Sequence, residues 1–417
     1  MTANEFLKLH KQDEDSVDIA TSLEKFWQQM RLGLNGEDGG LPMIPTYLMD
    51  LDRSKIKAGA TNILIDAGGT NFRSAIGYFD ELGNAHIDNL TQTVMPASKK
   101  TLGKDKFYGA IASNISHLLP KAQNVGFCFS YQVDMGRDLD GTVVMFSKEI
   151  KAPEVVGTRV GQETLSACKR YDKTERKIVV LNDTVATLLG GMATTDEKFG
   201  AYLGYIYGTG TNVCYVEDTA NITKVNGLPA GKMLVNTECG NFEGFEQGDF
   251  DKAVISRTAV PDKQLFEKMT SGKYLADIIH EALVVAHKEK MFVSRAHIVP
   301  FTLQEVSEFL SGGKFCCKFH SEQDKSFARD ICIELIRRAA KMGAIVNAAL
   351  AVVSCRDTSL PIAIVCEGTT FNKLPHYRNI FESYLTGILT MRGIRYKIVQ
   401  GEDLNLVGTL MATMMLK

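Results

Sequence analysis

The chain has 417 residues, 45% of them hydrophobic and 23% charged, the make-up of a globular protein too long for one ordinary core, so two domains or two fused halves are expected. A formal net charge of −2 leaves no basic excess to steer a phosphate backbone or an anionic bilayer, which excludes a general nucleic-acid or membrane partner but not a locally positive pocket. The charged opening MTANEFLKLHKQDEDSVD holds no apolar run of signal length, and nine scattered cysteines without a CxxC pair read as reduced, buried thiols, so a cytoplasmic location is expected.

SLEKFWQQMRLGL (22–34) puts Leu23, Phe26, Trp27 and Met30 on one helical face, and NGEDGG behind it ends the helix. LPMIPTYL (41–48) follows as an extended, proline-stiffened connector. ILIDAGGTNFRSAIGYF (63–79) predicts two strands around a glycine turn, and FDELGNAHI leads towards a third. DKFYGAIASNISHLL (105–119) has the spacing of an amphipathic helix, NVGFCFSY (124–131) that of a buried strand, and KIVVLNDTVATLLGGM (177–192) reads as strand, turn and helix. A second hairpin, AYLGYIYGTGTNVCYVE (201–217), repeats the first, with Asn71 and Asn212 roughly 140 residues apart. Residues from about 249 to 353 look largely helical, RRAAKMGAIVNAALAVV (337–353) being a buried helix too short and interrupted to span a bilayer. Within that region, Cys316 and Cys317 read as neighbouring thiols on a short helix or strand. PIAIVCEGTTFNKL (361–374) supplies a last strand, glycine–threonine turn and helix start. The recurrence implies two related α/β halves, packed without a low-complexity linker and leaving a cleft between them.

Glycines at a strand turn let backbone N–H groups approach an anion with no Cβ in the way. AGGTN (67–71) and GTGTN (208–212) therefore read as two phosphate cradles facing each other. EGTT (367–370) is a third corner, placed before a helix whose N-terminus favours negative charge. One such turn is ordinary hairpin chemistry; three, each after an apolar strand, point to phosphate. No GxxxxGK[ST] or GxGxxG occurs, which excludes P-loop and Rossmann nucleotide sites. In LNDTVATLL, Asn182 and Asp183 lie between strand and helix, as a helix cap or as a carboxylate able to take a proton from a substrate hydroxyl at the strand's carboxyl end. Asn236 and Glu238 in VNTECGNF, Glu267 in LFEKMTSGKYL, and Ser147 with Lys148 in FSKEIKA are ordinarily surface groups.

Taken in order, ILIDAGGTNFRSAIG, GFCFSY, FSKEIKAPEVVG, VLNDTVATLLGG, GYIYGTGTNVCYVE, VNTECGNFEGF, FEKMTSGKYL and VCEGTTFNKLPHY resemble the hexokinase family from about residue 22 to the C-terminus. The resemblance implies two ribonuclease H-like lobes of the actin-like ATPase fold around a central sugar and ATP cleft. The smaller lobe would take 58–181 with 403–417, and the larger 1–57 with 182–402. It implies ATP-dependent phosphorylation of a hexose, glucose first, by a monomer or homodimer. The first hairpin would hold ATP through Gly68, Gly69, Thr70 and Asn71 with Arg73 nearby, and Asp66 would position Mg²⁺. Gly208, Thr209, Gly210 and Thr211 would bind phosphate, and Gly368 with Thr369 would lie on the adenosine side. Ser130, Ser147, Lys148, Asn182, Asp183, Asn212, Glu238 and Glu267 would hold the sugar, with Asp183 as catalytic base.

Four positions depart from the family pattern. Tyr131 and Gln132 stand where it reads Phe-Pro, and FSKEIKA replaces WTKGFKA while keeping a hydroxyl at Ser147. The third corner's usual aspartate is Glu367. QGEDLNLVGTLMATMM (400–415) replaces SGKGAA, so Leu404, Asn405, Leu406 and Val407 stand where small residues would leave room for adenine. Two rival readings share the pattern: a hexose sensor without turnover, and an actin-like or heat-shock-chaperone ATPase. The intact Asp66, Asp183 and glycine turns argue against the first, and the Ser147–Lys148 loop with Glu238 and Glu267 against the second.

Overall fold

The computed structural model describes residues 1–416 apart from 51–52, 57, 60, 70 and 147–149. β1 (Ile44–Met49) comes first and joins a sheet completed much later in the chain. β2 (Asn62–Gly68), β3 (Asn71–Phe79) and β4 (Ala85–Val94) form an antiparallel meander. β5 (Asn124–Phe129) adds parallel to β2, the ribbon of β6 (Gln132–Met135) and β7 (Gly141–Met145) follows, and β8 (Ile178–Leu181) adds parallel to β5. The order is β4-β3-β2-β5-β8. β2, β5 and β8 are buried along nearly their whole length, as apolar runs covered on both faces must be.

The second sheet repeats the plan. β9 (Ala201–Tyr207), β10 (Thr211–Asp218) and β11 (Lys232–Asn236) meander antiparallel, and β12 (Ile362–Glu367) and β13 (Tyr396–Val399) add in parallel beyond β9. With β1 on the outside of β11 the order is β1-β11-β10-β9-β12-β13; without β1 it matches the first sheet. These are the two ribonuclease H-like halves of an actin-like ATPase fold. The 41–48 stretch is therefore partly a strand, not a free connector. Pro45 is tolerated because β1 is an edge strand, and the register breaks between Pro45 and Met49.

Three cores follow. One lies on the first sheet and a larger one on the second. The larger includes the helix Ile19–Asn35, which buries Leu23, Phe26 and Met30, ends at Gly36 with φ 75°, and lets Trp27 Nε1 donate to the Ala349 carbonyl at 3.0 Å. It also includes most of the helix Glu322–Ser354, where Arg338 is buried against Asp251 at 2.8 Å. No helix among the described residues is long and apolar enough to cross a membrane. All nine cysteines are free thiols; Cys316 and Cys317 sit in a bend before the bridge of His297 to Lys318, not in a helix or strand.

The third core joins the sheets where the helices Asp183–Thr194 and Leu404–Thr413 cross. The crossing needs glycine on both helices. A Cβ on Gly408 would lie 1.8 Å from the Ala186 carbonyl oxygen, and one on Gly190 2.2 Å from that of Leu404. Two backbones can touch only where neither carries a side chain.

Candidate active site

The carboxyl ends of β2, β8 and β12, the β9–β10 turn and the end of β11 open onto one cleft of about 1290 Å³ between the sheets. It is lined by Asp66, Gly68, Gly69, Asn71 and Arg73 from the first hairpin, and by Gly208, Thr209, Gly210, Thr211 and Asn212 from the second. Gly368 and Thr369 line it from the third corner, together with Ser130, Asn182, Asp183, Glu238 and Glu267. The candidate residues are thus gathered from distant parts of the chain. Thr70, Ser147 and Lys148 lie outside the described residues.

Three carboxylates, Asp183, Glu238 and Glu267, line the cleft. Asn182 is the helix cap: its Oδ1 accepts from Thr184 N at 3.0 Å and Thr184 Oγ1 at 2.6 Å. That leaves Asp183 in the first turn, half-buried on the cleft wall, where its Oδ1 accepts from Thr184 N at 2.9 Å. Glu238 sits in a left-handed conformation, φ 51°, of a kind that L residues hold only where neighbours impose it. Its Oε1 accepts from Asn236 Nδ2 at 2.7 Å and Asn212 Nδ2 at 3.1 Å, and Asn212 also donates to Asn236 Oδ1 at 2.8 Å. Burial pushes the Glu238 carboxyl up to about 7, with the charges of Asp183 and Glu267 adding to the rise and the Asn236 amide opposing it. Glu267 is no surface glutamate. Its Oε2 accepts from Thr211 N at 3.1 Å, on the second glycine turn.

The second and third glycine corners pack on one another. Gly368 has φ 124°, and a Cβ there would meet the Tyr207 carbonyl oxygen at 2.2 Å, so the third corner rests directly on the second hairpin. The Gly208 carbonyl accepts from Gly272 N at 2.9 Å and Thr370 Oγ1 at 3.0 Å, which makes the two corners one assembly. Across the cleft, Arg73 donates to Asp66 Oδ2 through Nη2 at 2.6 Å and Nε at 3.1 Å, and through Nη1 to Asp403 Oδ1 at 2.7 Å. Burial raises the Asp66 carboxyl and the Arg73 guanidinium works against that rise. Burial likewise raises Glu367.

Some contributors were not readable beforehand. Lys273, after Gly272, and Lys373, just past the third corner, line the cleft, and Asp403 holds Arg73 from the start of the last helix. Of the bulky residues at 404–407, Asn405 lines the cleft and accepts from Thr187 Oγ1 at 2.9 Å. Leu404, Leu406 and Val407 are buried; the latter two pack into the helix crossing, and none of the three lines the cleft.

Sequence models of hexokinase match residues 3–193 and 202–415. Hexokinase-1 of Saccharomyces cerevisiae is 24% identical across 93% of this chain and 87% of its own. The hexokinase of Schistosoma mansoni is 28% identical across 67% of this chain. The chain spans 64% of the length of that relative and 55% of hexokinase-2 from rice. The solved structure of the Schistosoma mansoni hexokinase complexed with glucose covers 99% of both chains with a TM-score of 0.81 at 19% identity, which establishes the shared fold. Between them the two matched models account for both sheets and all three glycine corners, and this chain belongs to the hexokinase family.

Proposed function

We propose that the chain is a hexose kinase that transfers the γ-phosphoryl group of Mg-ATP to the 6-hydroxyl of glucose, and of relatives such as mannose or fructose, at the entry to glycolysis in the cytoplasm. The observation that carries this reading is a single cleft lined by Asp183, Glu238 and Glu267 together with all three glycine corners. Ser130, Asn182, Asn212, Glu238 and Glu267, with Ser147 and Lys148, hold the sugar; amides and carboxylates around several hydroxyls reject analogues that lack them. Asp183 orients the 6-hydroxyl and accepts its proton as the O6–P bond forms and the bond from the γ-phosphorus to the ADP oxygen breaks. The turns at Gly68–Asn71 and Gly208–Thr211, with Arg73, stabilise the phosphates, and Gly368 with Thr369 carries the adenosine side.

Among the described residues no group of three or more His, Cys, Asp or Glu side chains is placed to cage a metal. Asp66 offers one buried carboxylate whose contacts to Arg73 use Oδ2 alone. That suits a magnesium ion delivered on nucleotide phosphates with its own waters, not one resident in the protein. When bound, the ion neutralises charge on the phosphoryl group.

The lobes, 58–181 with 403–417 and 1–57 with 182–402, close on the sugar about the helix crossing. Closure keeps water from the phosphoryl group. The test is sugar phosphate formation by the purified chain, with glucose, mannose and fructose each offered ATP, GTP, ADP or polyphosphate. Glucose 6-phosphate made from ATP supports the reading. Glucose binding without turnover would make the chain a sensor, and sugar-independent ATP hydrolysis would remove the sugar from the reaction.

A further inference from the structure

Arg73 is the cation that the proposed function sets on the donor's phosphates, and in the folded chain its charge is already shared. Nη2 and Nε both donate to Asp66 Oδ2, at 2.6 and 3.1 Å, and Nη1 donates to Asp403 Oδ1 at 2.7 Å. Asp66 by itself holds the guanidinium along one edge; Asp403 adds a second negative charge to a single positive one. Asp403 stands in the cap position of the helix Leu404–Thr413, where a carboxylate ordinarily accepts from the helix's own amides. It makes no such bond, and its backbone lies in the left-handed region at φ 50°. Its carboxylate is turned to Arg73 instead. The residue belongs to the 400–415 segment that departs from the family pattern. Its charge is felt beyond the pair: burial raises the Glu367 carboxyl at the third corner, Arg73 opposes that rise, and Asp66, Asp183 and Asp403 add to it.

We propose that Asp403 is a specificity-determining residue that weakens the pull of Arg73 on anions, so that the cleft takes a metal-loaded nucleotide and disfavours metal-free nucleotide and pyrophosphate; this rests on the hexose kinase reading. Two carboxylates on one guanidinium leave the group with an excess negative charge, and Glu367 lines the same cleft. An anion approaching Arg73 meets that excess. Coulomb energy scales with the product of the charges, so the most highly charged ligand meets the largest repulsion. A nucleotide carrying magnesium has lost two of its negative charges and with them most of that repulsion; a metal-free one keeps all of it. Asp403 thus acts on charge balance and not on orientation, since Nε and Nη2 stay on Asp66 whether or not Asp403 is charged. A partner can be chosen by repelling its competitor as well as by attracting it, and that is the part this residue takes.

Calorimetric titration of Mg-ADP, of ADP in EDTA and of pyrophosphate in EDTA tests this in the full chain. Asp403→Asn removes the charge, keeps an oxygen that can accept from Nη1, and introduces a residue at ease in left-handed backbone. It should tighten metal-free ADP and pyrophosphate about 10-fold, the effect of one unit charge in partly solvated surroundings. Mg-ADP should tighten by less than about 3-fold, and glucose affinity should stay at the wild-type value. Asp403→Ser, a second neutral variant, should behave as Asp403→Asn does, whereas Asp403→Glu keeps the charge and should keep the wild-type discrimination. Neutral variants with wild-type affinity for all three ligands would overturn the proposal. So would equal tightening of metal-free and Mg-loaded ADP, or weaker binding of both, the last meaning that Asp403 positions Arg73 and does not oppose it. A wild-type chain that binds no Mg-ADP would defeat the kinase reading itself, and the proposal with it.

Discussion

Asp183 shows how one residue's role depends on its neighbour. Either Asn182 or Asp183 suits a helix cap, and the strand–turn–helix pattern does not choose between them. The folded chain gives the cap to Asn182, so the Asp183 carboxyl lines the cleft. Asp183→Ala should lower kcat by about 10²- to 10⁴-fold, the usual worth of a general base, while glucose affinity measured by calorimetry changes little. Near-normal turnover would remove it as base. Glu238 carries a pH signature. Its carboxyl rises from an ordinary 4.5 to about 7, so without sugar the folded chain holds a proton that the unfolded chain has released between those values. Stability from this group is therefore full below pH 4.5 and lost as pH climbs through 7. Glucose affinity should move the opposite way, improving as Glu238 ionises and accepts sugar hydroxyls. Glu238→Gln should be more stable than wild type at pH 8 in urea titrations, bind glucose more weakly, and lose the pH dependence near 7. A variant that keeps that dependence would place it on another group.

Secondary-structure elements were legible where their pattern is local. The two glycine hairpins are visible as apolar run, glycine–threonine turn, apolar run, and both form as read. β1 was read only as an extended connector because its strand character comes from β11, whose paired residues lie roughly 190 positions later in the chain. The last helix shows a related dependence. Leu404, Leu406 and Val407 stand where the family pattern has small residues, yet which face of a helix meets a cleft is set by the helix it crosses, and here Leu406 and Val407 pack into that crossing. The crossing itself is testable. Gly408→Ala forces a methyl group into the space beside the Ala186 carbonyl oxygen, and overpacking of this kind should cost about 3 kcal/mol in chemical denaturation. A loss under about 0.5 kcal/mol, the size of an ordinary surface substitution, would contradict so close an approach.

For the molecule as a whole, the proposed sugar groups come from both halves: Ser130 follows a strand of the first sheet, and Glu238 and Glu267 lie on the side of the second. Glucose that must touch both can be gripped only if they approach, so its addition should reduce the radius of gyration in small-angle scattering. Glu267→Gln should weaken that response along with glucose affinity, because the carboxylate also steadies the second glycine turn through Thr211 N. An unchanged radius at saturating glucose would argue for a cleft that works without closing. The duplicated α/β plan, the three glycine corners and the candidate carboxylates could be read from residue order, since turns, caps and alternating apolar runs are local chemistry. That Glu238 is enclosed enough to hold a proton, that Glu267 meets the second hairpin, and that Asp403 anchors Arg73 could not. Each depends on side chains brought together from distant positions, and burial and distance come into being only when the two sheets and their crossing helices pack.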